Sequence, residues 1–364
     1  MKSTFGKNIT ISIWGGSHEP AIGADITGFP VGTKVNQAKL EAFLKRRAPG
    51  NSPFATKRKE PDIPVPTSGV SGEGTWTLDA ETVSFEIKNT DQHSGDYKSL
   101  RTVPRPGHAD YTARIRYGED LNMAGGGPFS ARMTAPLCIA GGIAMQILEA
   151  RGITIGAHIA SIANVHDAPL DPVNIPDGLA AELKSKEPLA VIDDNAGEAM
   201  GQVIMDAKNS LDSVGGVIEA FVTGLPAGIG GAMYDGIESA LAPILFGIPA
   251  VKGVEFGAGF GATKLRGSED NDPFYYDGDT VKTRTNNHGG ILGGITSGMP
   301  LITRLAFKAT PSISLEQDSV NLETGENAKL VIKGRHDPCV VVRAVPIVEA
   351  ALAIGILDCM MEDK

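Results

Sequence analysis

Cysteine is scarce: three among 364 residues, Cys138, Cys339 and Cys359, with no C-x-x-C pair. That spacing indicates neither a zinc site nor a disulfide framework. Aromatic residues are few, at 5%, and the opening Met1-Lys2-Ser3-Thr4-Phe5-Gly6 carries no apolar signal region. No uncharged apolar run predicts a membrane span. The most apolar stretch, Ala135 to Ala150, contains Pro136, Gly141 and Gly142 and reads as a buried helix. The formal net charge of −10 argues against broad nucleic-acid binding. It leaves room for an anionic substrate if basic residues are focused in one cleft. The expectation is a soluble, cytoplasmic protein of a reduced compartment, with neither nucleic acid nor membrane as partner.

What is abundant is glycine, 45 residues, in a chain whose hydrophobic content (41%) and charged content (21%) are ordinary for a soluble protein. A glycine surplus points to tight turns or to backbone lying close to a ligand. Length alone allows two domains or one large one. Strand-like and helical stretches are mixed, and no repeat, linker or low-complexity run divides them. The fold class expected is therefore α+β, as one domain over residues 1–364. Ile9, Ile11 and Ile13 alternate with polar residues and predict an opening strand. Asn36 can cap a helix in which Leu40, Phe43, Leu44 and Arg47 share a face. Val217 to Thr223 and Val251 to Phe256 read as strands. Asp235 to Phe246 reads as a helix with Ile237, Leu241, Ile244 and Leu245 inward, and Pro346 suits the first turn of a last helix reaching about Met361.

Seven histidines are present, and three sit in short loop-forming strings. These are Gly16-Ser17-His18-Glu19-Pro20, Arg105-Pro106-Gly107-His108-Ala109-Asp110 and Gly334-Arg335-His336-Asp337-Pro338. Two of them place an Arg before the His and an Asp after it. Gly and Pro exclude a helix interior or a central strand. The pattern reads as loops holding a proton-transfer group beside an anion-binding group. His108-x-Asp110 also has the spacing of a facial-triad iron site, but Arg105 and Arg335 beside the ligands argue against a metal. Arg335-His336 suggests a phosphohistidine phosphatase, although such pairs belong at a first strand. His93, His158 and His166 read as structural or solvated, and His288 stays open.

Between Arg46 and Lys59 stand Arg46, Arg47, Lys57, Arg58 and Lys59, which taken alone read as a solvated basic loop. Gly257-Ala258-Gly259-Phe260-Gly261-Ala262 matches a dinucleotide fingerprint only nominally, because a loop follows where a helix is required. Gly289-Gly290-Ile291-Leu292-Gly293-Gly294-Ile295-Thr296-Ser297-Gly298 reads equally as glycine-mediated packing and as backbone pressed against a flat ring or a phosphate.

Together the strings resemble those of the chorismate synthase family, nearly end to end. Arg105 to Asp110 matches fully, as do Gly334 to Cys339, Arg343-Ala344-Val345-Pro346 and Glu349-Ala350. Ser130-Ala131-Arg132 followed by Thr134, the string from Gly289, Val251 to Glu255 and Asn89 to Gln92 also fit. The resemblance implies a lyase converting 5-enolpyruvylshikimate 3-phosphate to chorismate and phosphate. This 1,4-elimination, the last step of the shikimate pathway in aromatic amino acid biosynthesis, requires reduced FMN without net redox change. It implies helices sandwiched between antiparallel sheets and a homotetramer, with NADPH or an external flavin reductase supplying the reduced flavin. A homotetramer would also absorb the surplus apolar surface of the two most apolar helices.

Carried over by position, the resemblance implies that His18 protonates the leaving phosphate and that His108 stabilises or protonates the reduced flavin. Asp337 would act with the flavin in removing the ring hydrogen, and Ser17 and Ser130 would join a proton relay. Ser130, Arg132, Gly293, Lys308, Thr310, Ser312 and Arg335 would line the FMN site. Arg46, Arg47, Arg58 and Arg105 would hold the substrate's phosphate and carboxylates. Departures are also present. Gly15-Gly16-Ser17-His18-Glu19 replaces Gly-Glu-Ser-His-Gly. Ala48, Pro53, Ala124 and Pro128 are neutral where the family is basic, Phe129 replaces a Ser, and Met133 replaces a Glu. A flavin-binding relative with another anionic substrate, or a catalytically impaired one, is the alternative reading. A non-enzymatic scaffold is a further one.

Overall fold

The alternation around Ile9 to Ile13 forms the strand Thr10–Gly15, but as the second strand. Lys2–Phe5 precedes it and pairs antiparallel with it. Three of those four residues are exposed, so no apolar pattern marks them. The structure, a computed structural model, describes residues 2–50, 52–56, 58–91, 100–332, 334 and 336–361. Its first five-stranded sheet runs in the order Lys2–Phe5, Thr10–Gly15, Ala21–Thr27, Thr82–Lys88, Val65–Ser68. The second runs Val165–His166, Thr154–Ile162, Gly216–Thr223, Leu301–Phe307, Val251–Phe256. Every pairing in both is antiparallel.

Among the described residues the helices are α1 (Gln37–Arg47), α2 (Asp110–Tyr117), α3 (Thr134–Glu149), α4 (Leu179–Ser185), α5 (Asp194–Asn209), α6 (Ile237–Phe246), α7 (Gly267–Asp270) and α8 (Val345–Met360). Asn36 caps α1 as expected, its Oδ1 accepting from the Lys39 N–H at 2.9 Å. The helix buries Leu40, Phe43, Leu44 and Arg47. α6 buries the four residues its pattern predicts.

α3 and α8 form the middle layer. α3 lies on the first sheet, α8 on the second, and the two lie on each other. Helices between antiparallel sheets make the α+β class expected. One hydrophobic cluster joins both sheets and the helices between them. Pro136 falls in the first turn of α3, where a missing N–H costs nothing, so it does not kink the helix. Ala131–Glu149 is long and apolar enough to cross a membrane, yet 89% of that stretch is buried inside the fold. The apolar surface of α3 and α8 is therefore consumed within the chain. The assembly argument from surplus helix surface does not hold.

Two polar devices tie the layers. The Asp358 carboxylate near the end of α8 accepts from the N–H groups of Asn8 (2.7 Å) and Ile9 (2.6 Å), fixing the entry to the second strand. On the second sheet Glu255, Arg304, Glu219 and His158 are successive cross-strand partners. His158 is buried between Asp167 (Nδ1 to Oδ2, 2.7 Å) and Glu219 (Nε2 to Oε2, 3.1 Å). Burial alone would lower its pKa, and the two carboxylates raise it instead. His158 is structural, as its sequence context suggests.

The α3–α8 crossing allows no side chain at Gly141. A Cβ there would stand 2.4 Å from the Ala350 Cα and 2.3 Å from its Cβ. Gly141→Val is expected to cost about 1–3 kcal/mol or more, because backbone must move to admit it. Gly261→Ala, with open space around it, is expected to stay within about 0.5 kcal/mol of the parent. Urea unfolding midpoints check both, and equal midpoints would contradict the crossing described.

Candidate active site

A cleft of about 330 Å³ opens where three loops meet. Ser17 and His18 follow the strand Thr10–Gly15. His108 stands just before α2, and Asp337 precedes α8. All four residues line the cleft, together with Ser130, Lys308, Thr310 and Ser312.

A glycine loop brings the two histidines together. Gly125, Gly126 and Gly127 have φ values of +61°, +93° and +52°, a left-handed run only glycine adopts easily. The Ser17 N–H donates to the Gly127 carbonyl at 3.2 Å. A Cβ at Gly125 would lie 2.1 Å from the His18 ring, and one at Gly126 would lie 3.1 Å from His108 Nε2. The loop thus passes against both rings, at distances that exclude a side chain at Gly125. Three consecutive glycines were the available signal for this loop.

Under the cleft the arginines are held in buried ion pairs. Arg47, fully buried, stands with Nε 3.1 Å from Asp62 Oδ2 and donates to the Arg132 carbonyl at 3.3 Å. Arg132 donates to the other Asp62 oxygen and, through Nε, to Asn89 Oδ1 at 3.0 Å. Burial and the neighbouring Arg343 and Arg132 lower the Arg47 pKa to about 10 against the pull of Asp62, so it remains a cation at neutral pH. Arg58 donates to Glu60 Oε1 (Nη2, 2.7 Å) and to Ser17 Oγ (Nη1, 3.1 Å). The basic segment is therefore no solvated loop: its described arginines turn inward.

Burial alone would raise the Asp337 carboxyl. Arg343 overrides it, with Nε 3.1 Å from both oxygens and Nη2 2.6 Å from Oδ2, and the Thr56 N–H adds a bond at 2.9 Å. Asp337 is held ionised by Arg343. His108 Nδ1 lies 3.0 Å from Asp110 Oδ1, and Asp110 is gripped through both oxygens by Arg105. Arg105 is buried and also donates to Ser312 Oγ at 3.1 Å. Its donors are committed within the site, so holding substrate is not its evident task. The same grip takes Asp110 away from the iron-site reading.

The chain matches the family model for chorismate synthase over residues 9–361. The chain belongs to the chorismate synthase family. A curated chorismate synthase of Lancefieldella parvula is 44% identical, with 98% of this chain and 96% of that one aligned. The chorismate synthase of Thermococcus kodakarensis is also 44% identical, over 99% and 98%. A crystal structure titled as chorismate synthase has the same fold, with a TM-score of 0.74 at 24% identity, covering 98% of this chain and 93% of that one. The chain is thus an enzyme of the last shikimate-pathway step.

Several positions expected from chorismate synthases are not in the cleft. Arg46 points to the buried Glu349 of α8, bonding its Oε1 at 3.2 Å, and does not line the cleft. Gly293 sits in the turn of the hairpin Ile291–Leu292 and Ile295–Thr296, outside the lining. Neighbouring glycines there press on the chain's own backbone. A Cβ at Gly294 would be 2.2 Å from the Gly231 carbonyl, and one at Gly290 2.5 Å from that of Pro300. Gly290 and Gly294 thus serve packing within this chain, whereas Gly293 has open space beside it. Ala48 is buried at the end of α1. Arg335, Lys57, His93 and Gln92 lie outside the described residues.

Gly125→Ala tests the convergence of the histidines. The added methyl would collide with the His18 ring, so turnover is expected to fall by roughly the acid–base factor of ~10²–10⁴, while circular dichroism stays native. Parental turnover would contradict the geometry.

Proposed function

We propose that this cleft converts 5-enolpyruvylshikimate 3-phosphate to chorismate and phosphate with reduced FMN. The observation that carries the reading is the pair of histidines set against one glycine loop in a cation-lined cleft of an acidic chain. Arg47, Arg58, Arg105, Arg132, Arg343 and Lys308 all line it, although the chain's formal charge is −10. Such focusing suits a strongly anionic substrate.

The residues present fit a flavin phosphate and ring. The Thr310 hydroxyl is buried in the lining with no hydrogen-bond partner among the described residues, as a group awaiting a polar ligand would be. Ser130 and Ser312 add hydroxyls, Lys308 a cation, and Phe129 a flat apolar wall. When bound, reduced FMN supplies the electron density that eases phosphate departure with no net redox change. His18 donates a proton to an oxygen of the leaving phosphate. Arg58, already on Ser17 Oγ, holds negative charge beside it. His108 offers Nε2 to the flavin, and Ser17 and Ser130 relay protons between the two histidines. Asp337, ionised under Arg343, receives the proton that leaves the ring carbon. Its saturated hydrogen bonding makes it a weak base, suited to transient protonation.

The neutral residues at Ala48, Ala124 and Pro128 favour one second reading: a flavin-binding relative with another anionic substrate. We place the enzyme in the cytoplasm as a homotetramer. Exposed Phe260, Phe274, Tyr276, Met233 and Tyr234 support self-association.

Anaerobic turnover with photoreduced FMN, followed by chorismate absorbance, tests the reading and bypasses any need for NADPH or a flavin reductase. Chorismate is expected, and His18→Ala and His108→Ala should each lower kcat by roughly 10²–10⁴. Tight binding of reduced FMN with no chorismate would replace this reading with the second one.

A further inference from the structure

We infer that Asp110 is a positioning residue that keeps the proton of the neutral His108 ring on Nδ1, leaving Nε2 bare toward the cleft, with Arg105 gripping both Asp110 oxygens. This deepens the function proposed above and rests on it for the ring's catalytic use.

The argument turns on what surrounds each ring nitrogen. Nδ1 is 3.0 Å from Asp110 Oδ1 and 3.1 Å from Arg105 Nη2. Two neutral arrangements therefore compete. In one, Nδ1–H donates to Asp110 and Nε2 is bare. In the other, Arg105 donates to a bare Nδ1 and the proton sits on Nε2. The second sets a nitrogen lone pair 3.0 Å from an ionised carboxylate oxygen in a site where all three side chains are 15% exposed or less. At low dielectric that repulsion is large. The first gives Oδ1 a second donor beside Arg105 Nη2 at 2.7 Å, which a carboxylate oxygen readily accepts.

Asp110 cannot itself take the proton. Burial would raise its pKa, but Arg105 (Nε to Oδ2, 2.6 Å) and His108 hold it far below the usual carboxylate range. The Arg105 backbone N–H also donates to Oδ2 at 3.0 Å, and Asp110 stands in the first turn of α2, where negative charge is favoured. Arg105 is anchored in turn by Ser312. The other cation nearby, Lys308, binds the Gly107 carbonyl and faces the loop, not the ring nitrogens. Nε2 is the nitrogen beside Gly126, where a Cβ would come within 3.1 Å. It is the ring nitrogen turned away from Asp110 and Arg105, on a side chain that lines the cleft. A tautomer fixed from behind leaves Nε2 to accept and return a proton without reorganisation.

The test reads the ring directly. Two-bond ¹H–¹⁵N correlation spectra of histidine-labelled protein, without flavin or substrate, are recorded above the pH of ring titration. His108 is assigned by its absence in His108→Gln. Wild type is expected to carry Nδ1–H. In Asp110→Asn, Arg105 loses its carboxylate and donates to Nδ1, so the proton is expected on Nε2, with kcat lowered by roughly 10²–10⁴ and KM within about threefold. An Nε2–H ring in wild type overturns the inference, as does an Asp110→Asn ring that keeps Nδ1–H. If Asp110→Asn does not fold, the wild-type spectrum decides alone. Because the spectrum needs no cofactor, Nδ1–H in a protein that makes no chorismate supports the tautomer assignment and contradicts the proposed reaction separately.

Discussion

The Asp62 carboxylate, fully buried between Arg47 and Arg132, is the interaction on which the site depends. It brings together the end of α1, the segment after it and the turn that starts α3. Without it two guanidinium groups would face each other in a medium where like charges repel strongly. Asp62 adopts φ of +52° to do this, a conformation Asp tolerates better than most residues. Glu60 repeats the arrangement one step outward, accepting from Arg58 and from the Thr90 N–H at 3.0 Å. Asp337 with Arg343 repeats it again on the far side. The cleft floor is thus a set of cations whose charge is already offset, so their geometry is fixed before an anion arrives.

That design explains how an acidic chain presents a cationic cleft. Buried carboxylates such as Glu60, Asp62, Asp110 and Asp337 stand behind or beside the cleft arginines. The cleft lining itself carries six basic side chains against two acidic ones, Asp91 and Asp337, because most of the offsetting carboxylates stand behind the arginines. The missing arginines at the rim matter less in this light than the sequence suggests, since the inner guanidiniums are built in. Preorganised donors of this kind cost no rearrangement when charge develops. The glycine loop adds the remaining requirement, by letting His18 and His108 approach the same stretch of backbone.

Much of this was legible in the sequence. The three histidine strings announced loops at a site, and all three contribute to one cleft. Local periodicity gave α1 and α6 to within a residue or two, because each buries a stripe set by its own pattern, and Pro346 marked the start of α8, which is buried on every face. What was not legible depended on distant partners. Arg47 could be placed on the apolar face of α1, but not read as an ion-paired core residue, because Asp62 meets it through the loop between them. Nothing local in the sequence marks Arg343 as the partner of Asp337, because the turn into α8 brings them together. The strand Lys2–Phe5 was missed because its residues are exposed. The string from Gly289 divides evenly in sequence between packing and ligand contact; Gly290 and Gly294 pack on Pro300 and Gly231, while Gly293 has open space beside it.

The central claim is that the buried charges under the cleft exist for the reaction and not for stability. Removing one partner leaves uncompensated charge, so Asp62→Asn is expected to destabilise the fold by about 3–5 kcal/mol. Replacing the set together, Arg47→Met with Asp62→Asn and Arg132→Met, removes the need for compensation, and Asn still tolerates the left-handed backbone at that position. The deciding measurement is the unfolding free energy of the single and triple variants beside their chorismate formation. The triple variant is predicted to regain most of the stability that the single variant loses, and to make no detectable chorismate. A triple variant as unstable as Asp62→Asn, or one that turns over normally, would contradict the account.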